Sequence, residues 1–302
     1  IRLLETIQNR VREDGTLPYN LKYFGAAATG RWSGDSGLNM QNLPRGEVFG
    51  VDCRSIFKAR PGKKFVICDL AQIEPRVLAW LCNDTALLDL VRKGKDIYTA
   101  HALTTMGVQR VSKETRQLAK IRVLGLGYGC GHIRFRDLAA SWGHHLTANE
   151  SKATVEAYRR ANHLVTNFWE ECNRDMKAEV GDNHHIELPN GRFIRYFNVH
   201  QDSRNLLAST TMGEHPRYWY GGKICENLVQ GVARDVFTDC YYRVMKAGYE
   251  ILWSVHDELI IEVDIDDTTA CKHIEKIMST APEWLSDCPI AAEAYEANAY
   301  TK

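Results

Sequence analysis

Residues 253–263 read WSVHDELIIEV, two runs of strand-forming side chains with Asp257 and Glu258 between them. Aromatic and β-branched residues suit a pleated, half-buried surface, so the stretch predicts an antiparallel hairpin with its acids at the turn or at a strand end. A second short apolar run, KKFVICD at residues 63–69, also ends in an acid. If the two strands are neighbours, Asp69 and Asp257 converge at one end of a sheet although 188 positions separate them. Such paired carboxylates are hard oxygen ligands that suit Mg²⁺, which keeps waters and takes only one or two protein carboxylates beside substrate phosphates. Two such ions can activate an attacking oxygen and stabilise a leaving one in phosphoryl transfer. Taken alone, each acid is more simply read as a solvated strand end.

Helical patterning covers residues 1–12, 73–90, 113–127, 150–179, 224–247 and 268–280, with Pro75 tolerated in a first turn. HHIELPNGRFIRYF, residues 184–197, predicts a further hairpin turning at Asn190-Gly191. Residues 29–46 are too rich in Gly, Asn, Ser and Pro for a regular element. Helices around a small antiparallel sheet make an α+β fold, in one large or two interlocked domains; strand order is not contained in the pattern. The nine cysteines show no CxxC pair or short metal-ligand spacing, which favours reduced thiols and a cytoplasmic setting over a disulfide scaffold. No 18-residue uncharged apolar run suggests a membrane span. His132, His144, His145, His184 and His185 form no metal-ligand framework. Net charge is zero, yet residues 1–68 hold eleven Lys or Arg against six Asp or Glu, while residues 258–302 hold three against ten. Local field rather than total charge decides whether a phosphate backbone can be held.

In RQLAKIRVLGLGYG, residues 116–129, Arg116, Lys120, Leu124 and Tyr128 recur every four positions. On a helix they keep to one face, drifting by about 40° per step. Two cations, an apolar side chain and a ring match the phosphates, sugar and base of a nucleoside triphosphate. A surface helix with two solvated cations is the plainer alternative. No GxxxxGK phosphate loop is present.

Four ordered blocks carry a resemblance: TGRWS…NMQNLPR at 29–45, DLAQIEPR at 69–76, RQLAKIRVLGLGYG at 116–129 and VHDE at 255–258, supported by ENLVQGVARD at 226–235. Together they resemble the polymerase module of family A DNA polymerases, the bacterial DNA polymerase I-like enzymes, and are most similar to bacteriophage members. The resemblance implies a right-hand polymerase with a palm sheet, mostly helical fingers and a thumb largely absent. It would place thumb remnant and N-terminal palm at 1–68, palm strand and start of fingers at 69–112, fingers at 113–222 and C-terminal palm at 223–302. The implied activity is template-directed DNA synthesis, by nucleotidyl transfer from a dNTP to a primer 3′-hydroxyl with release of pyrophosphate. Ile1 in place of an initiator Met suggests a fragment, a processed product or a trimmed chain. A thumb, and a 3′–5′ exonuclease region, would come from upstream or from a separate chain, and the compartment would be the cytoplasm, that of the host if the source is viral.

The resemblance also implies roles. Asp69 and Asp257 would hold two Mg²⁺ ions, with Mn²⁺ as a substitute. Glu258 would act beside them, through water or by orienting the primer end. Lys120 would neutralise the triphosphate and protonate departing pyrophosphate, with Arg116 as a companion clamp. Leu124, Tyr128, Gln72 and Glu74 complete the nucleotide side. Tyr128 packs near the nascent base pair. Glu74 either crowds a ribonucleotide 2′-hydroxyl or makes a hydrogen bond as the fingers close. Arg31, Gln41, Asn42 and Gln230 would follow the minor groove of primer-template DNA, His256 the primer terminus, and Arg76 is read as structural. Two positions depart from the family: Leu124 stands where Phe or Tyr is common, and Glu226 where Asn is common. In related enzymes a tyrosine at the Leu124 position accompanies acceptance of dideoxynucleotides. A nucleic-acid binding module without catalysis and a single-subunit RNA polymerase are the competing classes. Asp69, Asp257, Arg116 and Lys120 speak against the first, and Glu74 against the second.

Overall fold

The computed structural model describes residues 2–35, 38–44, 46–203 and 205–301. The chain opens with α1 (Arg2–Gln8), the pair β1 (Leu21–Ala26) and β2 (Arg31–Gly34), a small pair β3 (Glu47–Val48) and β4 (Val51–Asp52), and then β5 (Lys63–Leu70). Helices follow: α2 (Ile73–Leu81), α3 (Thr85–Arg92), α4 (Ile97–Thr105), α5 (Lys113–Leu126), α6 (His132–Ser141), α7 (Ala148–Ala161) and α8 (His163–Ala178). Next come β6 (His184–Glu187), β7 (Phe193–Asp202), β8 (Asn205–Ser209), β9 (Arg217–Trp219) and the long α9 (Gly221–Lys246). The chain closes with β10 (Glu250–Val255), β11 (Glu258–Asp264), α10 (Ala270–Met278) and β12 (Ala292–Ala297).

Two compact units emerge, each assembled from separated segments. The first takes the chain up to Ala71, Arg234–Glu283 and the stretch from Ile290 onward; the second takes Gln72–Ala233 and Trp284–Pro289. In the first unit four antiparallel strands lie in the order β10-β11-β5-β12. β5 is central and covered on both faces, which is why it reads as an unbroken apolar run instead of an alternating one. Phe65 and Ile67 join Ile260, Met40, Leu43, Trp253 and Tyr300 in the core on one face. Val66, Cys68 and Leu70 point to the other, where α10 lies against β5 and contributes the buried Ile274 and Met278. β1 and β2 form a separate ribbon whose Trp32 meets Phe237 and Tyr241 of α9 edge-on.

The second unit holds α2–α8 and a four-stranded antiparallel sheet, β6-β7-β8-β9, of which the sequence pattern predicts only the first hairpin. That hairpin turns at Asn190-Gly191 as expected, with Gly191 at φ +81° and its amide donating to Leu188 O at 2.8 Å. Two long helices expected from periodicity are each a pair. The 73–90 stretch breaks at Asn83, which takes φ +52°, and Asp84 caps α3 by accepting from Leu87 N at 3.1 Å. The 150–179 stretch breaks at buried Asn162, whose side-chain amide donates to Tyr158 O at 2.7 Å. A polar side chain, Asp84 in the first break and Asn162 in the second, satisfies a stray backbone group, and neither leaves a mark on the hydrophobic period.

Candidate functional site

In the first unit the sheet brings its acids to one end. Asp69, the penultimate residue of β5, lies in register with Glu258 of β11 and Glu293 of β12. Asp257 is not in a strand: it shares a tight turn with His256, and its carbonyl accepts from Leu70 N at 3.1 Å. The turn thus falls at His256-Asp257, and Glu258 opens β11. It is Glu258 that stands opposite Asp69, while Asp257 is tied by its backbone to the residue after it. Asp69 and Asp257 are partly exposed, Glu293 is exposed, and Glu258 is only 1% exposed. Glu258 Oε1 accepts from the Tyr300 hydroxyl at 2.7 Å, and that hydroxyl accepts from Arg54 Nη1 at 3.0 Å. Burial, then the nearby Glu258 charge, raises the Tyr300 phenol far above its ordinary range, so it stays a donor. Arg54 also donates to the carbonyls of Pro44 and Leu43, fixing the acid end from below.

The turn itself is held by Gln41, 7% exposed. Its amide nitrogen donates to Ser254 O at 3.2 Å and its amide oxygen accepts from the His256 backbone N–H. Tyr19 donates to the same Ser254 carbonyl at 2.6 Å. His256 takes φ +56°, a left-handed conformation that few residues other than Gly and Asn adopt, and its side chain is exposed. Gln41, exposed Asn42, Arg54, His256, Asp257 and Glu258 line a cavity of about 240 Å³. Arg31 begins β2 and is partly exposed. Arg45, the last residue of the first block, lies outside the described residues.

The second unit carries α5 and the residues around it that the sequence assigns to a nucleotide. Arg116, Lys120 and Leu124 occupy its accessible face, and the opposite side buries Ala119, Ile121, Val123 and Leu126. Arg116 Nε donates to Asp96 Oδ1 at 3.1 Å, and its guanidinium lies 5.5 Å from the Tyr98 ring centre. Asp96 is itself the cap of α4, so Arg116 ties the start of α5 to the start of α4. Leu124 is 36% exposed, unusual for a leucine beside a well-packed helix core. Tyr128 lies past the end of the helix: Gly127 caps α5, the Trp169 indole donates to the Gly127 carbonyl at 3.0 Å, and Gly129 takes φ +80°. The helix thus ends within one residue of the expected 113–127, and Tyr128, the last member of the four-residue series, lies just beyond the cap. A Cβ on Gly222 would lie 2.4 Å from the Tyr128 carbonyl, so α9 can begin against this turn only with glycine there. Burial, and then the negative charge of Glu74, raises the Tyr128 phenol well above its usual range.

Gln72 takes φ +54° at the start of α2, and its side-chain oxygen accepts from Ile97 N at 3.1 Å. Gln230 donates to Glu226 at 3.3 Å on one face of α9, while Asn227 is buried and donates to the Tyr196 hydroxyl at 2.9 Å. Arg76 donates to Pro289 O at 2.7 Å, in keeping with its structural reading. The charge windows drawn along the sequence overlooked residues 110–160, where ten Lys or Arg face four Asp or Glu. Among the described residues no three or more His, Cys, Asp or Glu side chains gather into a metal cage. Asp69 and Asp257 remain a fitting donor pair for a hard divalent ion that draws its other ligands from water and phosphate.

Residues 5–302 match the family model described as DNA polymerase family A. The chain is 27% identical to a DNA polymerase of Bacillus phage SP02, covering 93% of this chain and 52% of that protein. To DNA polymerase I of Aquifex aeolicus it is 28% identical, covering 100% of this chain and 50% of that one. A solved structure, the POL domain of Pol1 from M. smegmatis in complex with DNA primer-template and dNTP, superposes with a TM-score of 0.74 at 22% identity, covering 99% of this chain and 51% of that one. That likeness shows a shared fold. The chain thus spans about half the length of these relatives. No helix among the described residues is long and apolar enough to cross a membrane.

Proposed function

This chain belongs to DNA polymerase family A, and from that premise we propose that it extends a DNA primer by nucleotidyl transfer from a dNTP, releasing pyrophosphate. The observation that carries the proposal is the register of β11 on β5, which brings Asp69 to the His256-Asp257 turn at one sheet end. On this reading the first unit is the palm and the second the fingers. The primer 3′-oxygen attacks the α-phosphorus, and the bond from that phosphorus to the pyrophosphate oxygen breaks.

Asp69 and Asp257 would hold two Mg²⁺ ions, which when bound supply the positive charge that activates the attacking oxygen and stabilises the leaving one. Lys120 offers its ammonium to the triphosphate and a proton to the departing pyrophosphate, and Arg116, braced by Asp96, offers a planar second cation. Leu124 would lie against the sugar, Glu74 would crowd a ribonucleotide 2′-hydroxyl, Tyr128 would pack beside the base pair, and Gln72 would act by holding the start of α4. Arg31, Asn42, Gln230 and His256 would meet primer-template DNA. Gln41, with both ends of its amide engaged by the hairpin, is better read as the residue that shapes the turn beneath Asp257.

The test is single-turnover incorporation by Asp69→Asn and Asp257→Asn, with circular dichroism beside it and both dNTP and NTP offered. Each folded variant is expected to lose nearly all incorporation while keeping most duplex binding. Wild-type incorporation by either would overturn the assignment, and preferential use of NTPs by the unaltered chain would move it to an RNA polymerase.

A further inference from the structure

The Lys120 ammonium lies 5.0 Å from the centre of the Trp142 ring. Trp142 belongs to none of the motifs, and its position comes from the way α6 stops. It is the residue that caps α6, and Gly143 after it takes φ +81°, so the chain folds back and His144 N reaches Ala139 O at 2.9 Å. α6 in turn packs tightly on α5: a Cβ on Gly125 would stand 2.7 Å from Leu138. The ring is therefore carried to Lys120 by a defined helix end on a close helix pair. It is 38% exposed, so filling a core does not account for a tryptophan there.

We propose that Trp142 is a positioning residue for Lys120. Its ring face holds the ammonium on the accessible side of α5, between Arg116 and Leu124, so that an incoming triphosphate meets a cation already in place. The inference rests on the reading of Lys120 as the triphosphate cation. A lysine side chain is a flexible four-carbon stem, and fixing it in binding costs rotamer freedom. The electron-rich indole face attracts the ammonium and narrows its range before the nucleotide arrives, without lowering its charge. Trp142 thus acts through Lys120.

A double-mutant cycle on the full chain tests this, with W142L, W142F, K120Q and K120Q/W142L compared by single-turnover dNTP titration, which separates nucleotide affinity from limiting rate. Calorimetric binding of inorganic tripolyphosphate provides a second readout that needs no catalysis. W142L is expected to weaken both ligands by about three- to fivefold, the worth of one exposed cation–π contact, with a smaller effect on limiting rate. W142F keeps an aromatic face and should stay within about twofold of the parent. In the K120Q background W142L should add nothing. Unchanged affinity in W142L, or an equal loss in both backgrounds, overturns the proposal while leaving Lys120 in its role. Parent-like affinity and rate in K120Q would remove the reading of Lys120 and the proposal with it. W142Q, which removes the ring with different bulk, must follow W142L, and urea midpoints of all variants identify any loss that comes from folding.

Discussion

Leu124 offers the accessible face of α5 an apolar surface without a ring or a hydroxyl. On the proposed nucleotide path it stands between the phosphate cations and Tyr128, so Leu124→Tyr would introduce a hydroxyl able to replace a hydrogen bond lost with a missing 3′-hydroxyl. The ratio of ddNTP to dNTP incorporation efficiency should rise by about tenfold, the worth of roughly one hydrogen bond, with NTP use unchanged because Glu74 is untouched. An unaltered ratio would remove Leu124 from sugar recognition. A second residue-scale prediction concerns His101, 2% exposed, ring to ring with Tyr158 at 5.7 Å. Burial first, and then the Arg122 charge, pushes its pKa down to about 3. Because the folded value lies below the unfolded one, the unfolded chain takes up the proton. Stability is complete above the unfolded value of about 6.5 and falls as pH drops from there toward 3, by up to about 1.4 kcal/mol per unit. Between pH 7 and 5, urea titrations should show a loss about 2 kcal/mol larger in the parent than in His101→Gln. Equal losses would mean the ring is not held neutral. Neither His101 nor Arg122 was singled out by the sequence pattern, since both carry polar names in buried positions.

The β10–β11 hairpin was legible as an element because two runs of aromatic and β-branched residues flank the acids that interrupt them. What could not be read was how the turn is held. His256 takes a left-handed conformation in place of the expected Gly or Asn, and a glutamine more than two hundred positions away supplies the bonds. Gln41→Leu keeps the volume and removes those bonds, leaving the buried Ser254 carbonyl and the partly buried His256 N–H less well satisfied. The cost should be about 1–3 kcal/mol in urea unfolding, with a fall in incorporation that exceeds any loss of DNA affinity. Parent-like incorporation in a folded Gln41→Leu would show that the turn holds its shape without it. Helices tell a similar story. The α5 face was visible because Arg116, Lys120, Leu124 and Tyr128 recur every four positions, whereas the breaks at 83–84 and 162 hang on single hydrogen bonds of the Asp84 and Asn162 side chains.

At the scale of the whole molecule, α+β class and the family's ordered motifs were accessible from sequence, but the weave was not. Each unit closes with segments from distant parts of the chain, and nothing in local periodicity encodes which segment returns. Charge was likewise misjudged by window: the surplus in residues 110–160 exceeds that in residues 1–68. On the polymerase reading this segment should contribute to the salt dependence of primer-template binding. Neutralising exposed Arg134 by Gln should weaken binding across sequences and reduce the salt slope by about one. A slope equal to that of the parent between low and moderate salt would show that this side chain meets no phosphate.

β5 sits between β11 and β12, and both neighbours follow it by close to two hundred residues or more. On a ribosome adding about 5–20 residues per second, the strand would emerge on the order of ten seconds or longer before either edge can be mated. For that interval FVIC is an apolar segment with open backbone groups, the kind that seeks other nascent chains. Lys63 and Lys64 precede it, and until Asp264 and Glu296 arrive to receive them in the folded sheet they put two positive charges at the head of the waiting strand. The same two lysines thus serve the newborn chain as guards against association before they serve the finished one as ion-pair partners.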